Sequence, residues 1–111
     1  MSYYVYVVGC ADHSLYTGTS ADAKKRIRAH ALRLASAAKY TKSHPVVSVE
    51  GLWEAADKRA ALSFEARFKR LSREKKQALL ENPAAVAEFL PMLSAENYAP
   101  KKLTLEECLG K

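Results

Sequence analysis

A chain of 111 residues, 49% hydrophobic and 27% charged, has the size and apolar content of one domain that needs no metal or disulfide staple to build a core. The net charge of +6 is uneven, with 15 Lys/Arg against 8 Asp/Glu in residues 1–82 and 3 against 4 in residues 83–111, so a polyanion such as nucleic acid suits the N-terminal body. Cys10 and Cys108 lie far apart and have no Cys or His neighbour at metal-ligand spacing, which argues against a disulfide framework or zinc site and for reduced thiols in a cytoplasmic protein.

The first segment, YYVYVVG at 3–9, is β-branched and aromatic, and SLYTG at 14–18 has the same character, so a hairpin is expected across CADH. Neither a charged leader nor a run of ~20 apolar residues is present, so no export and no membrane span are expected. In the turn, His13 must accept positive φ or the loop must be longer. From Asp22 to about Ala37 the period is helical, with Ile27, Ala31, Leu34 and Ala38 on one side, cations on the other, and Ser20 or Asp22 as N-cap.

KYTKSHP at 39–45 reads as a loop and VVSVEGLWEA at 46–55 as a third strand. Asp57 caps a second helix with the stripe Ala61, Phe64, Phe68 and Leu71, and Ser72 caps a short helix, REKKQALLE. Asn82-Pro83 reads as the N-cap and first residue of the next helix. Pro91 and Pro100 then interrupt the chain, and Thr104 with Glu107 has capping-box spacing before a small terminal helix. The order β-β-α-β-α-α predicts an α+β fold: a small three-stranded antiparallel sheet flanked by helices.

Three groups could carry chemistry. Tyr6 and Tyr16 can meet on one sheet face, although tyrosine also packs well in strands for purely structural reasons. Arg26 and His30, four residues apart, share a helix face and suit a phosphodiester, with a solvated basic face as the simpler reading. Glu65 stands at the edge of the buried stripe, where it can hold a hard divalent ion such as Mg2+ or pair with Lys69 at i,i+4.

Tyr4-Val5-Tyr6, Tyr16-Thr17-Gly18, RIRAH at 26–30, AKYTKSHPV at 38–46 and FEARFKRLSREKK at 64–76 together resemble the GIY-YIG nucleases, in particular their small single-domain bacterial members. The resemblance spans roughly residues 3–80, with Tyr4 where the family has Gly and Thr17 where it has Ile. It implies a GIY-YIG nuclease-like domain over 1–82; the C-terminal part lies beyond the resemblance, and 83–111 is expected to be a helical extension packed on the same domain. It implies a metal-dependent DNA endonuclease, structure-selective and serving repair or recombination, using Mg2+ or Mn2+ and drawing specificity from a protein partner.

The resemblance also implies roles. Glu65 would hold the metal, Tyr6 with Tyr16 would position or deprotonate the attacking water, Arg26 would stabilise the phosphate, and His30 would orient a tyrosine or move a proton. Lys24, Lys25, Arg28, Lys39 and Lys42 would contact nucleic acid. Asn82 is the one early candidate for the Asn that many family nucleases carry after the Glu, and helix capping before Pro83 is the favoured reading of it. The alternatives are a nucleic-acid-binding module of the same fold with little or no catalysis, and an interaction protein using Trp53 and the alanine-rich C-terminal helices.

Overall fold

A computed structural model of the chain describes residues 2–110. Its elements follow in order: β1 (Tyr3–Cys10), β2 (Leu15–Ser20), α1 (Ala23–Ala31), α2 (Lys39–Ser43), β3 (Val46–Ala55), α3 (Lys58–Lys69), α4 (Arg73–Glu81), α5 (Val86–Phe89), a 3-10 turn, β4 (Tyr98–Pro100) and α6 (Leu105–Cys108). The strands form one antiparallel sheet in the order β2-β1-β3-β4. The expected three-stranded sheet therefore has four strands. β4 is only three residues long and ends in Pro100, which is tolerated at an edge because no ladder bond is lost there, but so short a strand has almost no alternation to read.

The hairpin turn closes with Cys10 N–H donating to Ser14 O and His13 N–H to Cys10 O, both at 2.9 Å. His13 takes φ of 67°, which makes this a three-residue loop ending in a left-handed residue. Asp12 Oδ1 accepts from the Ser14 amide at 3.1 Å and hydroxyl at 2.6 Å, fixing the loop that the sequence left open between two forms.

Alternation along the strands divides the core in two. Val5, Val7, Trp53 and Ala55 point to one face, where Ala61, Phe64 and Phe68 of α3, Leu79 of α4 and Val86 of α5 cover them. Tyr6, Val8, Cys10 and Leu52 point to the other, against Ala23 and Ile27 of α1 and Cys108 of α6. Burial raises the pKa of both thiols, Cys10 and Cys108, above the ordinary value. Trp53 is wholly buried and its Nε1–H donates to Pro83 O at 2.8 Å, so it is a core residue and not the docking residue of the interaction reading. The C-terminal segment is tied to the sheet and α3 by Tyr98 Oη–H to Ala60 O and Lys101 N–H to Leu52 O, each 2.8 Å.

Predicted caps appear at α1, where Asp22 Oδ1 accepts from Lys25 N–H at 3.1 Å, and at α3, where Asp57 Oδ1 accepts from Ala60 N–H at 2.8 Å. Ser72 caps α4, and Thr104 and Glu107 form the capping box of α6. Three expectations are corrected. The first helix ends at Ala31, because Arg33 turns left-handed at φ 52° and the chain doubles back toward α1; Leu34 is consequently 45% exposed and outside the apolar stripe. Residues 39–43, expected as loop, form α2. Asn82 is the C-cap of α4, and no helix begins at Pro83, whose carbonyl is directed to the Trp53 indole instead.

Candidate functional site

The hairpin register sets Tyr6 opposite Gly18 and Val8 opposite Tyr16, so the two tyrosines lie diagonally on the same face, with ring centroids 6.5 Å apart. α1 crosses that face, and its Ile27 anchors it in the core while Arg26 and His30 turn toward the tyrosines. Tyr6 Oη lies 2.7 Å from His30 Nε2, and both residues are enclosed, at 1% and 0% exposure.

Both imidazole nitrogens are held: Nδ1 lies 3.3 Å from Ala38 N, and Nε2 lies 2.7 Å from Tyr6 Oη. Thr41 Oγ1, 2.7 Å from Nδ1 and 3.0 Å from Ala38 O, completes the support. The reversal at Arg33 brings Ala38 and Thr41 to His30. Arg26 braces the same reversal by donating from its guanidinium to Ser36 O.

Charges around the phenol pull in both directions. Burial raises the pKa of Tyr6, and Tyr16 raises it further; the charge and hydrogen bond of Arg26 lower it, and the charge of Glu65 raises it. That coupling brings Tyr6, Tyr16, Arg26 and Glu65 into one electrostatic neighbourhood, although Glu65 comes from α3, on the far side of the sheet. Glu65 Oε2 lies 3.4 Å from Lys69 Nζ, with side-chain exposures of 20% and 53%. The i,i+4 pair expected from the sequence therefore exists. Being this exposed on the lysine side, it is a weak competitor for a cation.

Burial, followed by the charge of Arg26, pushes the His30 pKa down to about 4. An unfolded histidine titrates near ~6.5, so the unfolded chain takes up the proton first. The stability that neutral His30 provides is thus complete above pH ~6.5 and declines as pH falls toward 4, a loss of about 3 kcal/mol. As pH falls through that window the gap between the urea midpoints of wild type and His30→Gln should close, the wild type falling more steeply; parallel curves would refute the assignment.

The cations expected to contact nucleic acid do not form one group. Lys25 and Arg28 line a groove of about 450 Å³ together with Arg26, Leu34 and Ser36. Lys24 borders a different pocket, with Leu103 and Glu107, and its charge lowers the Cys108 pKa against the effect of burial. Lys39 and Lys42 are exposed on α2, and Lys42 Nζ donates to Ala35 O at 3.1 Å. Asn82 sits at the end of α4 in a capping position.

Three contributors had no role assigned from the sequence. Gly18 is one: a Cβ there would lie 2.4 Å from Tyr6 Oη. Thr41 is another. The third is Tyr40, which stacks on Tyr16 at 5.8 Å and on His44 at 3.8 Å. All three fall inside segments that carried the resemblance; the hairpin register sets Gly18 against Tyr6, whereas the partners of Thr41 and Tyr40 depend on the chain reversal, which periodicity did not show.

As to metal, the donor set near Tyr6 is a single half-buried carboxylate beside phenols. No cluster of three His, Cys, Asp or Glu occurs among the described residues. That fits a hard divalent ion bound through one carboxylate with water and substrate oxygens, and does not fit a closed protein cage.

A hairpin supplying two phenols, a helix supplying Arg and His, and a carboxylate from a second helix are the side chains on which the resemblance to the GIY-YIG nucleases rested. The family model for the GIY-YIG catalytic domain matches residues 2–78, and the chain belongs to that family. A UPF0213 protein of Fusobacterium nucleatum is 39% identical over 83 residues, covering 75% of this chain and 81% of the relative. Another, from Bacillus velezensis, is 39% identical over 97 residues, covering 87% and 96%. The solution NMR structure of the UPF0213 protein BH0048 from Bacillus halodurans is 36% identical, covers 85% of this chain and 98% of that one, and has a TM-score of 0.49. These names state no activity. No helix among the described residues is long and apolar enough to cross a membrane.

Proposed function

We propose that this protein is a metal-dependent endonuclease that hydrolyses phosphodiester bonds in DNA. The observation that carries the reading is the convergence on Tyr6 of the His30 Nε2 hydrogen bond at 2.7 Å, the Tyr16 ring at 6.5 Å and the charges of Arg26 and Glu65, from three different elements. A stability role alone does not call for a buried phenol, a neutral imidazole and a guanidinium in one place, since such groups cost desolvation.

Burial divides the labour. Tyr6 and His30 are enclosed and Tyr6 remains a phenol at neutral pH, so this pair is a rigid floor that orients its neighbours. Tyr16 is only half-buried and is the phenol that reaches the attacking water. Arg26, also half-buried, holds a phosphate oxygen and stabilises charge developing there. Glu65 holds Mg2+ or Mn2+, which when bound supplies Lewis-acid polarisation of a phosphoryl oxygen and favours loss of a proton from nearby groups.

The exposed cations Lys25, Arg28, Lys39 and Lys42 suit the sugar-phosphate backbone, so binding is mainly to phosphates. Substrates are therefore chosen by structure, such as nicked or branched ends, or through a protein partner. A cytoplasmic role in repair or recombination accords with that preference.

The test is a panel of labelled duplex, nicked, flapped, branched and single-stranded DNAs and RNA, with Mg2+, Mn2+ or chelator. Cleavage of at least one DNA that chelator abolishes and Tyr16→Phe greatly slows is the expected result. Salt-sensitive binding with no cleavage of any substrate would instead favour the binding module of the same fold.

A further inference from the structure

The outward face of α3 carries a second cationic surface that the site just described does not use. Lys58, Arg59, Arg67 and Arg70 border a groove of about 630 Å³ with Leu62, Ser63 and Ala66, and no acidic side chain lines it. All seven residues are exposed. None of the four cations forms an ion pair among the described residues.

Stability does not explain this arrangement. Lys58 and Arg59 occupy the first turn of α3, which contains no acid, so two positive charges stand at the positive end of the helix dipole. Asp57 at the N-cap, whose carboxylate accepts from Ala60 N–H, supplies a single negative charge against these two cations. Like charges at 59, 67 and 70 add repulsion along one face. A groove that concentrates unpaired cations against these penalties is complementary to a row of anions, and three of its four cations are arginines, whose planar fork matches phosphate oxygens.

We propose that this face of α3 is a second backbone-binding surface, which grips phosphates of the nucleic acid beyond the bond presented to Glu65. Helical spacing supports the continuity: residues 58, 59, 62, 63, 66, 67 and 70 share one face, Ala61, Phe64 and Phe68 are buried on the other, and Glu65 with Lys69 lies on the border. A strand crossing Glu65 passes directly onto the groove. At about 18 Å, the 12-residue helix is long enough for several phosphates. The proposal rests on the nucleic-acid reading of the site but not on hydrolysis.

The experiment compares wild type with the triple variant Arg59→Gln/Arg67→Gln/Arg70→Gln in chelator, following anisotropy of labelled DNA over a salt series. One oligonucleotide is long, and one is too short to reach past the tyrosine face. For the long DNA the variant should bind about tenfold more weakly near physiological salt, with a log–log salt slope shallower by about 2. The short DNA should bind both proteins equally, and the Arg→Lys triple should recover most of the loss. The melting temperature of the glutamine variant should be unchanged or higher, since unfavourable charges have been removed.

Equal affinity and slope for both proteins on long DNA overturns the proposal. So does a wild type that binds polyglutamate but no nucleic acid, which would assign the face to an acidic protein. A matching assay with Mg2+ or Mn2+ separates the two readings. If neither protein cleaves while the salt-slope difference persists, hydrolysis fails and the surface stands.

Discussion

Glu65→Gln should reduce cleavage by about a thousandfold while leaving the fold intact. The amide keeps the shape of the side chain and removes only its charge and one strong oxygen donor, so any loss reports on electrostatics and ion binding. The stability change should be small. The one ion pair lost is with Lys69, which is 53% exposed, and such pairs contribute about 0.3 to 0.5 kcal/mol.

A direct readout of Mn2+ binding makes this sharper than activity alone. Mn2+ affinity should fall with Glu65→Gln and rise about twofold with Lys69→Ala, because Lys69 competes for Oε2. Unchanged or increased cleavage would sink the metal-holding role.

What the sequence made legible were features whose signal is local. Strand composition located β1, β2 and β3, and the caps Asp22, Asp57, Ser72 and Thr104 located four helix starts, because a capping side chain bonds within its own first turn. The end of α1 was misjudged for the opposite reason. Ala-rich LRLASAA has good helix propensity, and what stops the helix is tertiary: Arg26 and His30 draw the backbone at Ser36 and Ala38 back over the helix, and Arg33 takes the left-handed turn this requires.

The same reversal explains which parts of the site were hidden. Spacing showed that Arg26 and His30 share a face and that Tyr6 and Tyr16 could, but the partners that hold the His30 ring are a backbone amide eight residues on and the Thr41 hydroxyl eleven residues on. Nor could spacing bring Glu65, on a helix covering one sheet face, near a phenol on the other. Family resemblance supplied that association, because it records which residues act together without needing their route through the fold.

Gly18→Ala should be the most damaging single methyl in the molecule, destabilising the fold by about 3 kcal/mol and abolishing cleavage. Its Cβ would stand 2.4 Å from Tyr6 Oη, 2.6 Å from Cζ and 3.1 Å from Cε1. Relief by a small ring movement is blocked. The hydroxyl is tied to His30 at 2.7 Å, His30 is tied to Thr41 and Ala38, and the ring packs among Val8, Ile27 and Leu52. Gly51 provides the contrast: a Cβ there meets Leu80 Cδ2 at 2.7 Å, the far end of a flexible side chain that can swing away, and Trp53 ring atoms at 3.0 Å. The melting temperature should fall by roughly 12–24 °C in Gly18→Ala. Adding Tyr6→Phe, which removes the closest atom and the tether to His30, should recover part of that stability and none of the cleavage. A Gly18→Ala protein that melts and cleaves like wild type would show that Tyr6 is not locked in place, and the rigid floor beneath Tyr16 would have to be abandoned.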